Sequence, residues 1–116
     1  MLKLCVIGDP VGHSLSPMLH REMLKKAGIE GSYEAITVST EKLENFVKSA
    51  KNGAYDGFNV TMPHKETIIP LLDELAPSAQ AMGAVNTVVV RNGRAIGHNT
   101  DGEGLIRTLP DLPKKN

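Results

Sequence analysis

Short apolar runs alternate with stretches of helical periodicity along most of the chain. Residues 3–7 form a mostly apolar run that ends at a Gly-Asp-Pro turn, which predicts a buried strand. Apolar and polar positions alternate over 32–38, and a third strand is predicted over 58–61. Apolar residues three and four apart predict the helices, which cover residues 17–27, 40–52, 65–72 and 101–109, with a helical or turn-like stretch over 75–82.

The dipeptide Asn92-Gly93 separates two further strand-like runs, 85–90 and 94–99. It predicts a β-hairpin, because the two central residues of a type I′ turn need positive φ angles. The other strands alternate with helices, a pattern typical of sheets that are mostly parallel. The sequence therefore predicts a three-layer α/β domain with a mainly parallel mixed sheet of about six strands, one antiparallel hairpin and flanking helices.

Size and composition favour one globular domain and argue against nucleic acid and membrane partners. A chain of 116 residues is long enough for a single core. Zero formal net charge, 3% aromatic residues and the lack of tryptophan argue against nucleic acid as a partner. No apolar run reaches the length of a membrane span or of a signal-peptide core, so we expect no membrane partner and a cytoplasmic location.

The single cysteine and the four histidines suggest no metal chemistry. Cys5 lies in the first apolar run and has no partner for an internal disulfide, so a buried, inert thiol is expected. The histidines lack the spacing of metal ligands, and no metal is expected. We interpret His20 as a helix residue near a loop. We interpret the other three as loop or surface residues: His13, His64 and His98.

Polar residues gather where the strand over 58–61 gives way to a helix. Asn59 and Thr61 are two positions apart and so point to one face of the strand, and Lys65 follows inside the first helical turn. A second polar run, 97–102, supplies Asp101, which makes Lys65 and Asp101 a candidate acid/base pair. Polar groups at strand ends are typical of ligand sites in α/β proteins. The alternatives are structural: these asparagines and threonines satisfy loop backbone groups, the lysine is solvated and the aspartate caps a helix.

Two more motifs are candidates for substrate contacts. Ser14 and Ser16 lie in a loop that leads from a strand into a helix, where unpaired backbone N–H groups attract an anion such as a carboxylate; alternatively, Ser16 only caps the helix. Asn86 enters a strand after small residues that permit close approach of a ligand, or that simply form a tight turn. The chain contains neither G-x-G-x-x-G nor G-x-x-x-x-G-K-[ST], so no nucleotide site is expected.

Together, four motifs resemble the N-terminal, substrate-binding domain of shikimate dehydrogenases. In chain order they are Ser14-Leu15-Ser16-Pro17 with His20; Gly57-Phe58-Asn59-Val60-Thr61 with Pro63 and Lys65; Gly83-Ala84-Val85-Asn86-Thr87; and Gly97 with Asn99-Thr100-Asp101 and Gly104. Their shared order and spacing make the resemblance specific, and it extends over residues 2–109. One departure is Arg21, where the family often has asparagine.

The resemblance implies a reaction and a role for each candidate residue. The reaction is the reversible, NADPH-dependent reduction of 3-dehydroshikimate to shikimate in chorismate and aromatic amino-acid biosynthesis. Ser14 and Ser16 would bind the substrate carboxylate, with Thr61 close by. The residues that would surround the ring hydroxyls and the reacting carbonyl are Asn59, Asn86, Lys65 and Asp101, of which Lys65 and Asp101 would be catalytic.

The resemblance also implies a second domain. NADP would be bound by a Rossmann-type domain whose residues this chain lacks, so we expect residues 1–109 to form the shikimate-binding domain and 110–116 to be a tail or the start of a linker. Alone, the chain is expected to hold no cofactor, to be catalytically incompetent and to expose a face through which it can self-associate. Two alternatives stay open: a quinate/shikimate dehydrogenase relative, and a stand-alone small-molecule binding module.

Overall fold

A computed structural model describes residues 2–11, 17–26, 28 and 30–100. Its strands are β1 (Leu2–Gly8), β2 (Gly31–Thr37), β3 (Gly57–Val60), β4 (Glu74–Leu75), β5 (Thr87–Arg91) and β6 (Arg94–His98). Its helices are α1 (Pro17–Lys26), α2 (Leu43–Ser49), α3 (His64–Thr67) and α4 (Pro77–Met82). Shorter turns of helix extend α2 and α3: Thr40–Lys42 before α2, Ala50–Ala54 after it, and Ile69–Leu71 after α3.

The strands form one six-stranded sheet in the order β2-β1-β3-β5-β6-β4. β1 pairs in parallel with β2 and with β3, and β4 pairs in parallel with β6. The β3–β5 and β5–β6 pairs are antiparallel. The predicted α/β class and mainly parallel mixed sheet are confirmed.

Helices cover both faces of the sheet, because the side chains of β1 alternate between two apolar clusters. Leu4 and Val6 belong to one cluster, which includes Leu24 of α1; we call this the α1 face. Cys5 and Ile7 belong to the larger cluster on the opposite face, which includes residues of α2. The three-layer arrangement therefore follows from an interior strand, β1, that is apolar at successive positions.

The hairpin prediction is confirmed at its turn. Asn92 and Gly93 have φ angles of 52° and 75°, as a type I′ turn requires. The predicted end of the second helix is also found, since Gly53 takes a φ of 107° there. The prediction of one helix over 65–72 is wrong in extent: α3 ends at Thr67, and Pro70, which has no N–H to donate, lies in a separate short turn.

His64 is a correction to the sequence interpretation. It was expected in a loop or on the surface, yet its side chain is fully buried at the start of α3. Its ring Nε2 forms a hydrogen bond with the carbonyl of Val38, just beyond β2, which allows the imidazole to lie inside the core. Cys5 is buried as expected, and burial, with the nearby Glu34 carboxylate, raises the pKa of its thiol. The helix predicted over 101–109 and the tail lie outside the described residues.

Candidate functional site

The end of β3 carries the first two candidate residues. Val6, Asn59 and Thr87 lie side by side in the register of β1, β3 and β5, so all three point to the α1 face. Just past β3, the backbone N–H of Thr61 donates to the carbonyl of Ile7 at 2.9 Å. The sheet therefore fixes Thr61 although it lies outside the strand.

Lys65 enters the same region through a tight turn. The carbonyl of Thr61 accepts the N–H of His64 at 3.0 Å, so the chain turns directly from β3 into α3. The carbonyl of Lys65 then accepts the N–H of Val85 at 2.8 Å. This contact joins the helical turn of Lys65 to the segment that carries Asn86. The Lys65 side chain is half-buried, and it makes no hydrogen bond or ion pair with another described residue.

Asn86 binds the backbone of Thr100, the residue before Asp101 in the sequence. Its Nδ2 donates to the Thr100 carbonyl at 2.7 Å, and its Oδ1 accepts the Thr100 N–H at 2.9 Å. The Thr87 hydroxyl donates to the same Oδ1 at 2.9 Å. Because both backbone groups of Thr100 are held by one side-chain amide, the path of the chain after β6 depends on Asn86.

Further hydrogen bonds extend this group across the sheet. The Tyr33 hydroxyl, on β2, donates to Asn59 Oδ1 at 2.5 Å. Asn59 Nδ2 donates to the carbonyl of Asn86 and to the Thr87 hydroxyl, both at 3.3 Å. Thr87 is fully buried, and its hydroxyl lies 2.9 Å from that of Thr100. We call Tyr33, Asn59, Asn86, Thr87 and Thr100 the polar network.

Burial sets the protonation of two groups on the α1 face. It raises the pKa of Tyr33, with a smaller contribution from Cys5, so the phenol stays neutral and remains a hydrogen-bond donor. His98 is opposite Thr87 in the β5–β6 register, and burial lowers the pKa of its half-buried imidazole. A neutral polar network, with Lys65 on the turn whose backbone binds Val85 beside Asn86, is suited to a polyhydroxylated or anionic ligand.

Of the candidate residues, the described part of the chain brings Asn59, Thr61, Lys65 and Asn86 to one edge of the sheet. Ser14, Ser16 and Asp101 lie outside the described residues. Tyr33, Thr87 and Thr100 were not predicted as members of the site region. Thr87 and Thr100 fall within the quoted motifs, whereas the signal for Tyr33 is only that a buried phenol needs a hydrogen-bond partner.

The described ranges give no support to two other classes of site. Within residues 2–11, 17–26, 28 and 30–100, no group of three or more histidine, cysteine, aspartate or glutamate side chains converges to hold a metal ion. No helix in those ranges is both long and apolar enough to span a membrane.

Comparison with known proteins identifies a family. A family model described as the shikimate dehydrogenase substrate binding domain matches residues 6–88. The NADP(+)-dependent shikimate dehydrogenase of Desulfitobacterium hafniense strain Y51 is 51% identical over 106 residues, which are 91% of this chain and 39% of that protein. The chain thus spans about two fifths of the length of the curated relatives it matches.

Solved structures give the same result for the fold. Shikimate 5-dehydrogenase from Thermus thermophilus, in complex with NADP(H) and shikimate, matches with a TM-score of 0.82 and 44% identity. The match covers 95% of this chain and 42% of that one. The ligand-free 5-ketofructose reductase of Gluconobacter sp. strain CHM43 matches with a TM-score of 0.81 and 34% identity, over 94% of this chain and 39% of that one.

Proposed function

Because the chain belongs to the family of shikimate dehydrogenase substrate-binding domains, we propose that it binds shikimate and 3-dehydroshikimate. It then forms the substrate half of an NADP-dependent oxidoreductase that reduces 3-dehydroshikimate to shikimate. The observation that carries the proposal is the linkage of Lys65 to the Asn86 segment, and of Asn86 to the residue before Asp101. Of the residues that the resemblance assigns to substrate, Asn59, Thr61, Lys65 and Asn86 thereby share one edge of the sheet.

Lys65 is the proposed acid of the reaction. Reduction of a ketone builds negative charge on the carbonyl oxygen, and a nearby ammonium stabilises that charge and transfers a proton to the oxygen. The compact cation of lysine has three donors, and no described residue pairs with this one, so its N–H bonds are available to substrate and to Asp101. Asp101 is proposed to orient the ammonium and one ring hydroxyl.

The remaining candidate residues are proposed to recognise the rest of the substrate. Ser14 and Ser16 bind its carboxylate, and the Thr61 hydroxyl lies next to that group. Asn86 keeps one N–H beyond its bond to Thr100, and this donor can bind a ring hydroxyl. A ligand without that hydroxyl would leave a polar group unpaired, which is a strong source of discrimination.

The nicotinamide nucleotide does not fit the residues of this chain. The sequence has no G-x-G-x-x-G motif, and the described candidate residues at this edge of the sheet are asparagine, threonine and lysine, not a glycine-rich phosphate cradle. We therefore propose that NADP, which supplies the hydride, is bound by a part of the enzyme outside these 116 residues. The role of this chain is to hold the substrate and to move the proton.

A titration of shikimate into the isotope-labelled chain, followed by NMR, tests the proposal. We expect saturable shifts at Asn59, Thr61, Lys65 and Asn86. Lys65→Met removes the charge with little change in length and should weaken binding about 10- to 100-fold, the usual worth of a hydrogen bond to a charged group.

The matched control is Lys48→Met, on α2 at the opposite face, where Lys48 is exposed and forms an ion pair with Glu44 of its own helix. It should bind shikimate as the unsubstituted chain does. Absence of shifts at millimolar shikimate in a folded chain, or equal effects of the two lysine substitutions, would contradict the proposed site.

A second candidate substrate is another polyhydroxylated ketone. The likeness to 5-ketofructose reductase favours it, since that enzyme's name gives a ketosugar as its substrate and its fold is equally close. Parallel titrations with quinate and 5-ketofructose separate the candidates. Tighter binding of either than of shikimate would replace the proposed substrate while leaving the site in place.

A further inference from the structure

Tyr33 contacts two elements that lead to candidate site residues. Its side chain is 1% exposed and lies in the apolar cluster of the α1 face. Its hydroxyl donates to Asn59 of β3, and its backbone carbonyl accepts the Arg21 Nε–H of α1 at 3.0 Å. α1 begins at Pro17, directly after Ser16 in the sequence. One residue of β2 therefore ties α1, which follows Ser16 in the sequence, to the strand end that carries Asn59.

The phenol of Tyr33 spans β1, the strand next to β2 in the sheet. β1 lies between β2 and β3, with Leu4 opposite Tyr33 and Val6 opposite Asn59. The side chain therefore crosses β1 and leans two residues toward the carboxyl ends of the parallel strands. Its hydroxyl is the polar end of an otherwise apolar side chain, and it contacts Asn59 at the edge of the core, where the candidate site begins.

The surrounding groups fix which way the Asn59 amide points. The Asn86 carbonyl can only accept, so the Asn59 atom that faces it must be Nδ2. Oδ1 then faces Tyr33, whose hydroxyl must donate. Without that donor, Oδ1 would lose its hydrogen bond to Tyr33, and the amide would be held through Nδ2.

We propose that Tyr33 is a positioning residue, which acts through Asn59 to hold the β3 and β5 strand ends in the arrangement that receives the substrate. Asn59 transmits the effect because its Nδ2 contacts both Asn86 and Thr87, while Asn86 holds Thr100. The effect of Tyr33 on substrate binding rests on the proposed function, whereas its effect on the position of Asn59 does not. The raised pKa of Tyr33 supports the proposal, because the phenol stays protonated and can always donate.

Tyr33→Phe removes the hydroxyl and keeps the ring in the core. The matched control is Tyr55→Phe, since the Tyr55 hydroxyl donates to Glu34 at 2.8 Å in an exposed contact on the sheet's other face. In the NMR spectrum of Tyr33→Phe we expect the side-chain amide resonances of Asn59 to shift and their hydrogen exchange to quicken. Tyr55→Phe should leave both unchanged. An unchanged Asn59 amide in Tyr33→Phe would overturn the proposal.

Shikimate affinity supplies the second readout. Loss of one hydrogen bond that orders the site should weaken binding about three- to tenfold in Tyr33→Phe. In an Asn59→Ala background the same substitution should have no further effect, because the residue through which it acts is gone. An equal loss in both backgrounds would assign Tyr33 an effect independent of Asn59 and refute the mechanism.

The two readouts separate this inference from the proposed function. If the unsubstituted chain does not bind shikimate, the proposed function fails. The NMR resonances of the Asn59 side-chain amide still show whether Tyr33 positions that side chain. If Tyr33→Phe does not fold, the NMR spectrum of the unsubstituted chain provides the test instead. A slowly exchanging Tyr33 hydroxyl proton with a cross-peak to the Asn59 amide supports the inference, and the lack of that signal overturns it.

Discussion

Thr87→Val tests whether the polar network stabilises the fold. Valine has the shape of threonine but lacks the hydroxyl, which in Thr87 is fully buried and lies within 3.3 Å of Asn59 Nδ2, Asn86 Oδ1 and Thr100 Oγ1. Each lost hydrogen bond costs about 1 kcal/mol net, and the methyl group that replaces the hydroxyl returns about 1 kcal/mol through apolar burial. Three bonds less one methyl group give an expected destabilisation of about 2 kcal/mol.

Urea denaturation of the two proteins measures this difference. With an m-value of about 1.5 kcal/mol/M, the midpoint of Thr87→Val should fall by about 1 to 1.5 M while the slope stays the same. Thr37→Val is the matched control, because Thr37 is an exposed position in the edge strand β2 and should change the free energy of unfolding by less than about 0.5 kcal/mol. Equal midpoints for the two variants would show that the network contributes no net stability.

Two further outcomes are expected. A methyl group added at Gly8 would lie 2.5 Å from Thr61 Cγ2, so Gly8→Ala should displace Thr61. We expect this displacement to weaken shikimate binding in the NMR titration and to lower the urea midpoint. Unchanged binding would place Thr61 outside the site. The Ala95 N–H and then Lys51 lower the pKa of Asp73 below its ordinary 3.8, so its contribution to stability is present above that pH and is lost as the pH falls below it. The stability gap between the unsubstituted chain and Asp73→Asn should therefore close on acidification in urea titrations from pH 7 to pH 2, and a constant gap would contradict this assignment.

Local patterns were sufficient for elements that are determined by their own residues. The apolar run of β1 and the Asn92-Gly93 turn each carry a signal within a few positions, and both predictions are confirmed. β4 was missed because Glu74–Leu75 is too short to show a period. Its position comes from contacts distant in sequence, such as the Asp73 carboxylate that accepts the Ala95 N–H at 2.7 Å.

The candidate site divides in the same way. Asn59, Thr61, Lys65 and Asn86 could be predicted as candidates because they belong to motifs with a recognisable order. The contribution of Tyr33 could not be predicted, since its partner Asn59 is 26 residues away and the strand pattern around Tyr33 indicates only an inward-facing side chain. His64 was misread for the same reason, because the Val38 carbonyl that makes its burial possible lies 26 residues earlier.

The hydrogen-bonding capacity of each candidate residue distinguishes residues that can bind a ligand from residues that hold the fold. Both N–H groups of Asn59 already have acceptors within the domain, and Asn86 uses its Oδ1 and one N–H on Thr87 and Thr100. The side chain of Lys65 makes no such bond to a described residue. A ligand therefore gains more from Lys65, whose donors need not leave another described residue, than from Asn59, whose N–H groups would have to leave their acceptors. It follows that loss of the Lys65 charge should weaken affinity with little effect on stability, whereas loss of the Asn59 amide should reduce both.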